Sequence, residues 1–216
     1  MTIFFDFDGV ILNSAELKTD CFKYSVSDFN QSQINEFLDY HIENMGVSRH
    51  KKFDYFIKDI LSYRKDVDNL KKNLLDKFQE CLEKNLYESN LIYGAKAILE
   101  WAKKNNHSCH IISGTPENDL IEIVKHYKIE HYFKSINGTP GSKACHIKKL
   151  SSLFKIKLDD SVFVGDAITD FNAAAQFNIK FFAIDCVHMH NFWLDNKVNV
   201  FDNLNQLKIH LEKNFN

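Results

Sequence analysis

Only two prolines and seven glycines occur in this chain, with no stretch rich in either, so no flexible or polyproline linker marks a place to divide it. Both prolines, Pro116 and Pro140, stand just after predicted strand ends, where helices or turns begin. No apolar run approaches the ~18 residues that a membrane-spanning helix needs. The N-terminus lacks a cationic region and carries acids at positions 6 and 8, which argues against an ordinary secretory signal. An excess of one charge is lacking too. Lys+Arg 27 against Asp+Glu 29 leaves a formal net charge of -2, so no global field points to nucleic acid or a membrane surface. The five cysteines (Cys21, Cys81, Cys109, Cys145, Cys186) are scattered and form no C-x-x-C pair. They read as reduced thiols, and the expected location is cytoplasmic. There are no repeats or low-complexity tracts. What remains is 216 residues, 44% hydrophobic and 26% charged, long enough for one or two domains with a sizeable core.

The first fourteen residues, MTIFFDFDGVILNS, organise the rest. Ile3, Phe4, Phe5 and Phe7 predict a buried strand, and Asp6 and Asp8 interrupt it two residues apart. Strand side chains alternate, so both carboxylates start on one side. Like charges ~4 Å apart repel by about 4 kcal/mol at an effective dielectric of 20, so the pair calls for a compensating cation or proton. Gly9 lets the backbone turn tightly or approach a ligand closely.

From Ser14 to about Ser89 the pattern is helical. Leu17, Cys21 and Tyr24 give one face; Ile34, Phe37, Leu38 and His41 a second; Phe53, Phe56, Ile57, Ile60 and Leu61 a third; Leu70, Leu74, Phe78, Cys81 and Leu82 a fourth. From about Asn90, helices and strands alternate. Helices are predicted near 95–104, 117–127, 143–154, 170–176 and 204–212, with strands at 107–112, 135–136, 161–164 and 180–184. Such alternation predicts a parallel sheet covered on both faces. The expected fold is therefore α/β: a Rossmann-like three-layer core from 1–13 and 90–216, with an α-helical cap, 14–89, inserted between its strands.

Three further stations fall at predicted C-terminal strand ends, where open α/β sheets place ligands. Ser113-Gly114-Thr115-Pro116 offers a hydroxyl and backbone N–H groups at a predicted helix start, a small anion site or simply a cap. Gly141-Ser142-Lys143 opens a helix and could set an ammonium beside the carboxylates. Val162-Phe163-Val164-Gly165-Asp166 delivers a carboxylate at a strand tip, and Asp170 follows at or inside the next helix start, where the helix dipole favours it.

Asp6-Phe7-Asp8-Gly9-Val10, Ser113, Lys143 and Gly165-Asp166 with Asp170, in this order and strand context, resemble the four motifs of the haloacid-dehalogenase superfamily of phosphohydrolases. The resemblance covers the whole chain, and the helical insertion after the first motif matches one subclass, which includes phosphoglycolate phosphatases and β-phosphoglucomutases. It implies a bound Mg²⁺ and phosphoryl transfer through an aspartyl-phosphate. On this reading Asp6 attacks phosphorus, and Asp8 serves as acid and then base. Ser113, Gly114 and Lys143 hold phosphoryl oxygens, with Gly9 lining the approach. Asp6, Asp8 (through its carbonyl) and Asp166 ligate Mg²⁺, while Asp170 holds a metal-bound water or braces Lys143. Asp8 disfavours the dehalogenase and phosphonate-cleaving branches.

The expected function is a Mg²⁺-dependent phosphatase of a small phosphorylated metabolite, a monomer or weak homodimer. The alternatives are a phosphomutase and, with less support, a non-catalytic binding protein on the same scaffold. Specificity falls to the cap, with Gly46–Lys52 as substrate loop and Arg49 and Lys52 as its basic groups. Cys186, His188 and His190 alternate after a predicted strand and leave zinc as a minor possibility.

Overall fold

The structure is a computed structural model and describes residues 1–215. The chain runs β1 (Thr2–Phe5), α1 (Ala15–Ser25), α2 (Gln31–Glu43), α3 (Arg49–Tyr55) and α4 (Val67–Asn85). It continues through α5 (Ala95–Lys104), β2 (Ser108–Pro116), α6 (Glu117–His126), β3 (Phe133–Thr139) and α7 (Lys143–Phe154). The remainder is β4 (Ser161–Gly165), α8 (Ile168–Ala175), β5 (Lys180–Ile184), α9 (His190–Asp195), β6 (Asn199–Phe201) and α10 (Leu204–Asn214). Two compact units result: Met1–Asn13 with Asn90–Asn216, and Ser14–Ser89.

The first unit is built on a six-stranded sheet in the order β3-β2-β1-β4-β5-β6, all parallel. Phe5 is in register with Ile111 on β2 and Val164 on β4, so the three central strands end side by side. Their middles are runs of apolar residues, as in strands buried on both faces: Ile3, Phe4, Phe5, Ile111, Ile112, Val162, Phe163 and Val164 are all buried. Helices cover both faces. α7 and α8 pack together, and Ile147, Leu150, Ala173 and Ala174 join Phe4 and Phe163 in one core cluster. α5 and α10 pack together elsewhere on the sheet.

The elements differ from the sequence pattern in four places here. β2 does not stop at Ile112 but continues through Ser113-Gly114-Thr115, and α6 begins only at Glu117. Ser113 and Thr115 are therefore strand residues rather than a helix cap. β3 extends over seven residues because Ser135 and Asn137 find partners inside it: the Asn137 amide donates to the Ile111 carbonyl (2.9 Å) and to Ser135 Oγ (2.8 Å). α9 and β6 carry no strong periodicity. Val187–Met189 is a short 3₁₀ turn, so Cys186, His188 and His190 do not alternate along a strand.

The second unit is helical. Its interior is a cluster of phenylalanines in which Phe22 meets Phe37 and Phe78, and Phe37 meets Phe53 and Phe56, at centroid separations of 4.6–5.8 Å. Such pairs add attraction beyond the area they bury. Phe22, not Tyr24, faces this interior; Tyr24 is exposed. After α3 the backbone widens into a π-helical turn, Phe56–Ile60. Its slower rotation keeps Phe56 and Ile57 buried and lets Ile60 and Leu61 drift to half-burial.

Candidate active site

β1 ends at Phe5, but the Asp6 amide still donates to the Val164 carbonyl (2.9 Å), so Asp6 leaves the sheet as an extension of the central strand. Its carboxylate is nearly fully buried. Oδ1 accepts the Phe7 amide (2.7 Å) and Oδ2 accepts from Lys143 Nζ (2.8 Å). Beyond it, the Phe7 carbonyl takes N–H bonds from Ile11 (2.8 Å) and Leu12 (2.9 Å), while the Gly9 amide donates to the Leu12 carbonyl (2.8 Å). That closed loop turns at Gly9, whose φ of 76° favours glycine.

Lys143 is the first residue of α7, behind an N-cap in which Ser142 Oγ accepts the Cys145 amide (3.1 Å). Its buried ammonium binds both Asp6 and Asp170. Asp170 sits in the first turn of α8, where its second oxygen accepts the Ala167 amide (3.2 Å). Gly165, at the tip of β4, leaves room for it: a Cβ there would lie 2.4 Å from Asp170 Cβ and 2.7 Å from its Oδ2. Asp166 follows, buried. One oxygen from each of Asp6, Asp166 and Asp170 lies within 4.8 Å of the others.

Asp8, half-buried, is tied in from the neighbouring strand. Thr115 Oγ1 donates to Asp8 Oδ2 (2.8 Å), and the Thr115 amide donates to Ser113 Oγ (3.1 Å). Ser113 is thereby used as an acceptor and keeps its own O–H for another oxygen. Thr115 is the residue that reading the sequence as a helix cap obscures. Reading Ser113-Gly114-Thr115 with a strand period of two would have put both hydroxyls on one face.

The electrostatics follow from burial. Burial pushes the Asp166 carboxyl well above the ordinary carboxylate range, and the Asp6 and Asp170 charges push it further. Burial and then Asp6 carry Asp170 up to about 7, against the lowering effect of Lys143. Burial disfavours the Lys143 ammonium, but Asp170 and Asp6 outweigh it and its pKa is raised. One ammonium thus faces three buried carboxylates, an arrangement short of positive charge. Hard oxygen donors this close fit a divalent cation such as Mg²⁺, and Asp6, Asp166 and Asp170 are the side chains that would hold it.

The two basic residues expected at the substrate lie in the helical unit. Arg49 opens α3, where its Nη1 donates to Gln79 Oε1 (2.8 Å) and its guanidinium stands 5.4 Å from the Phe78 ring centre. Lys52 is 2% exposed. Its Nζ bonds His41 Nδ1 (2.7 Å) and stands 5.1 Å from the Phe22 ring centre, and His41 Nε2 meets Thr19 Oγ1 (2.9 Å). Among the described residues, the three aspartates are the group with metal-ligand spacing, and Cys186, His188 and His190 are not brought into it.

The family model of haloacid dehalogenase-like hydrolases matches residues 3–184. No curated protein matches by sequence. Solved structures do resemble the chain. A predicted phosphatase from Clostridium acetobutylicum is 18% identical with a TM-score of 0.76, the alignment covering 98% of each chain. A predicted phosphoglycolate phosphatase from Haemophilus somnus 129PT is 20% identical with a TM-score of 0.73, over 97% of each. A β-phosphoglucomutase from Clostridium difficile is 17% identical with a TM-score of 0.75, over 98% of this chain and 95% of that one.

Proposed function

The chain belongs to the haloacid dehalogenase-like hydrolases, and within that family we propose that it is a Mg²⁺-dependent phosphatase of a small phosphorylated metabolite. The observation that carries this reading is the Asp6 carboxylate, buried at the end of the central strand, clamped by Lys143 and flanked by Asp166 and Asp170. Bound there, Mg²⁺ would neutralise the carboxylates and the phosphoryl charge.

The chain's own residues supply the rest. The Phe7 amide and the Lys143 ammonium fix the Asp6 carboxylate in one orientation, so it can attack phosphorus in line without a search. Attack forms an acyl phosphate on Asp6 and expels the substrate alkoxide. Asp8, oriented by Thr115, gives that alkoxide its proton and later takes one from the hydrolytic water. Lys143, the Ser113 hydroxyl and the Gly114 amide serve the equatorial oxygens, where charge concentrates in the transition state. Specificity is assigned to the helical unit, with Arg49 as its candidate basic group; Lys52, expected beside it, is buried against His41 and Phe22 and ties helices together instead.

The test is to assay release of inorganic phosphate from a panel of phosphorylated metabolites. Activity is expected with Mg²⁺, lost to EDTA and restored by Mg²⁺ but not by Ca²⁺. Calcium favours 6–8 oxygens at about 2.3–2.6 Å and would engage the nucleophile's free lone pair. Turnover indifferent to chelation would sink the metal assignment, and products that retain their phosphate would turn the reading to phosphoryl transfer within a sugar.

Thr115→Val removes the hydroxyl that aims Asp8 and keeps the shape. The expected result is a roughly tenfold lower kcat on substrates with poor leaving groups, less than the roughly 10²–10⁴-fold a general acid contributes, because Asp8 itself remains and only its aim is lost. Nearly full activity should persist on p-nitrophenyl phosphate, whose phenolate leaves without help. Equal losses on both would mean that Thr115 supports the strand rather than the acid.

A further inference from the structure

His146 lies one turn after Lys143 on α7, buried, and the chemistry above makes no use of it. Its ring hydrogen-bonds the Gly138 backbone, and its Nε2 has no hydrogen-bond partner. The bonded nitrogen is therefore Nδ1, donating to the Gly138 carbonyl. Nε2 lies against Gly141: a Cβ on that residue would come within 2.7 Å of it. Gly141 has φ of 136°, so the backbone there is already one that only glycine adopts without strain.

The same segment is held from its other side. Glu117, the first residue of α6, accepts the Gly138 amide with its Oε2 (3.2 Å). Gly138 has no room for a side chain, since a Cβ there would sit 2.4 Å from the Thr115 carbonyl and 2.6 Å from the Glu117 backbone. The C-terminal end of β3, at Gly138, thus passes between a carboxylate on α6 and an imidazole on α7. The connection that follows, residues 140–142, leads straight into Lys143. The Gly138 N–H and C=O are both met by side chains, which fix the end of β3 against the helices on either side of it.

We propose that His146 is a positioning residue for Lys143: by gripping Gly138 and packing on Gly141, it sets where α7 begins and so where the ammonium meets the Asp6 carboxylate. The inference rests on the phosphatase reading for its consequence in catalysis, though not for its geometry. The ring's charge state suits the role. Burial lowers the His146 pKa and Lys149 assists, against the raising effects of the Gly138 bond and Glu117, and a neutral imidazole needs no counter-ion. A lysine that must stand between two carboxylates at the first residue of a helix, just after Gly141 and Ser142, gains most from such a brace, because small errors in placing a charge-stabilising group are expensive in rate.

The experiment compares His146→Leu, which loses the donor, with His146→Asn, whose amide nitrogen can replace Nδ1. Inorganic phosphate binding to the Mg²⁺-loaded protein is measured by calorimetry, in the native background and in Lys143→Met. We expect His146→Leu to weaken phosphate about tenfold where Lys143 is present and not at all where it is absent, with His146→Asn recovering most of the loss. In parallel, the Lys143 ammonium signal in ¹⁵N NMR should vanish or shift in His146→Leu and return in His146→Asn. Equal weakening in both backgrounds, or native phosphate affinity in a folded His146→Leu, would overturn the proposal. If the wild type neither binds phosphate nor releases it from any ester while the NMR signals behave as described, the phosphatase reading fails and the positioning role stands. An unchanged ammonium signal in His146→Leu removes the positioning role whatever the activity.

Discussion

Asp6→Asn should leave a folded protein with turnover reduced by at least about 10³-fold, because the amide keeps the shape of the nucleophile and loses its reactivity. The geometry adds a second expectation. In the wild type one carboxylate oxygen accepts the Phe7 amide and the other accepts the Lys143 ammonium. Asparagine has one acceptor, so one of these donors loses its bond. Against that loss stands relief of repulsion, since Asp6 is among the charges that push up both Asp166 and Asp170. The two effects oppose, and the metal-free melting temperature should move by only a few degrees. What should fall clearly is the stabilisation by Mg²⁺, because a protein that binds a cation only when folded gains stability in proportion to its affinity. Thermal melts with EDTA and with Mg²⁺, beside a phosphate-release assay on highly purified protein, test both parts. Retained turnover would remove the aspartyl-phosphate mechanism, and an undiminished Mg²⁺ response would remove Asp6 from the metal site.

The strands that carry the site were legible because each is a short apolar run ending in a charged or small residue. β4 is the clearest instance, with Val162, Phe163 and Val164 leading to Gly165 and Asp166. α7 announces itself by Ser142 at its cap, and β5 by an unbroken apolar segment. The losses have physical causes. Ser113-Gly114-Thr115 looked like a helix cap because hydroxyls and glycine favour both caps and irregular strands. What decides is pairing of β2 with β3, a tertiary fact. β6 is three residues at the sheet edge with two of its three side chains exposed, too short to show a period. In the helical unit, Lys52 sits beside Phe53 on the buried face, and its charge disguised the position. The acceptor that makes burial tolerable is His41, eleven residues earlier on another helix. His146 is silent in the sequence for a related reason: a single histidine in an amphipathic helix carries no local sign that a strand residue eight positions before it needs a donor.

Lys143→Met should lower turnover by roughly 10²–10³-fold, the range for losing one preorganised charge-stabilising donor, and should also destabilise the metal-free protein in a pH-dependent way. Methionine matches the volume, so the stability effect reports charge rather than a cavity. Breaking a buried ion pair by removing one partner costs about 3–5 kcal/mol, which for a protein of this size is of the order of 10 °C in melting temperature near pH 8. The sign of the pH effect comes from Asp170. Its folded pKa is raised from 3.8 to about 7, so between those values the native state holds a proton that the unfolded state has released. Stability from this group is present at low pH and is lost as pH rises through that window. Lys143 is one of the groups holding the Asp170 pKa down. Without it the window extends upward, and the variant should lose more stability than the wild type between pH 5.5 and 8. Acid works the other way on His110, whose pKa burial lowers from 6.5 to about 4, but that contribution is common to both proteins and cancels in their difference. The measurement is a series of melts in EDTA from pH 5.5 to 8, repeated with Mg²⁺. The gap between variant and wild type should be widest at pH 8 and narrow toward pH 5.5, and Mg²⁺ should reduce it by supplying the missing positive charge. A gap that is independent of pH and untouched by Mg²⁺ would mean that Lys143 stabilises by packing alone, and the charge balance drawn for the site would be wrong.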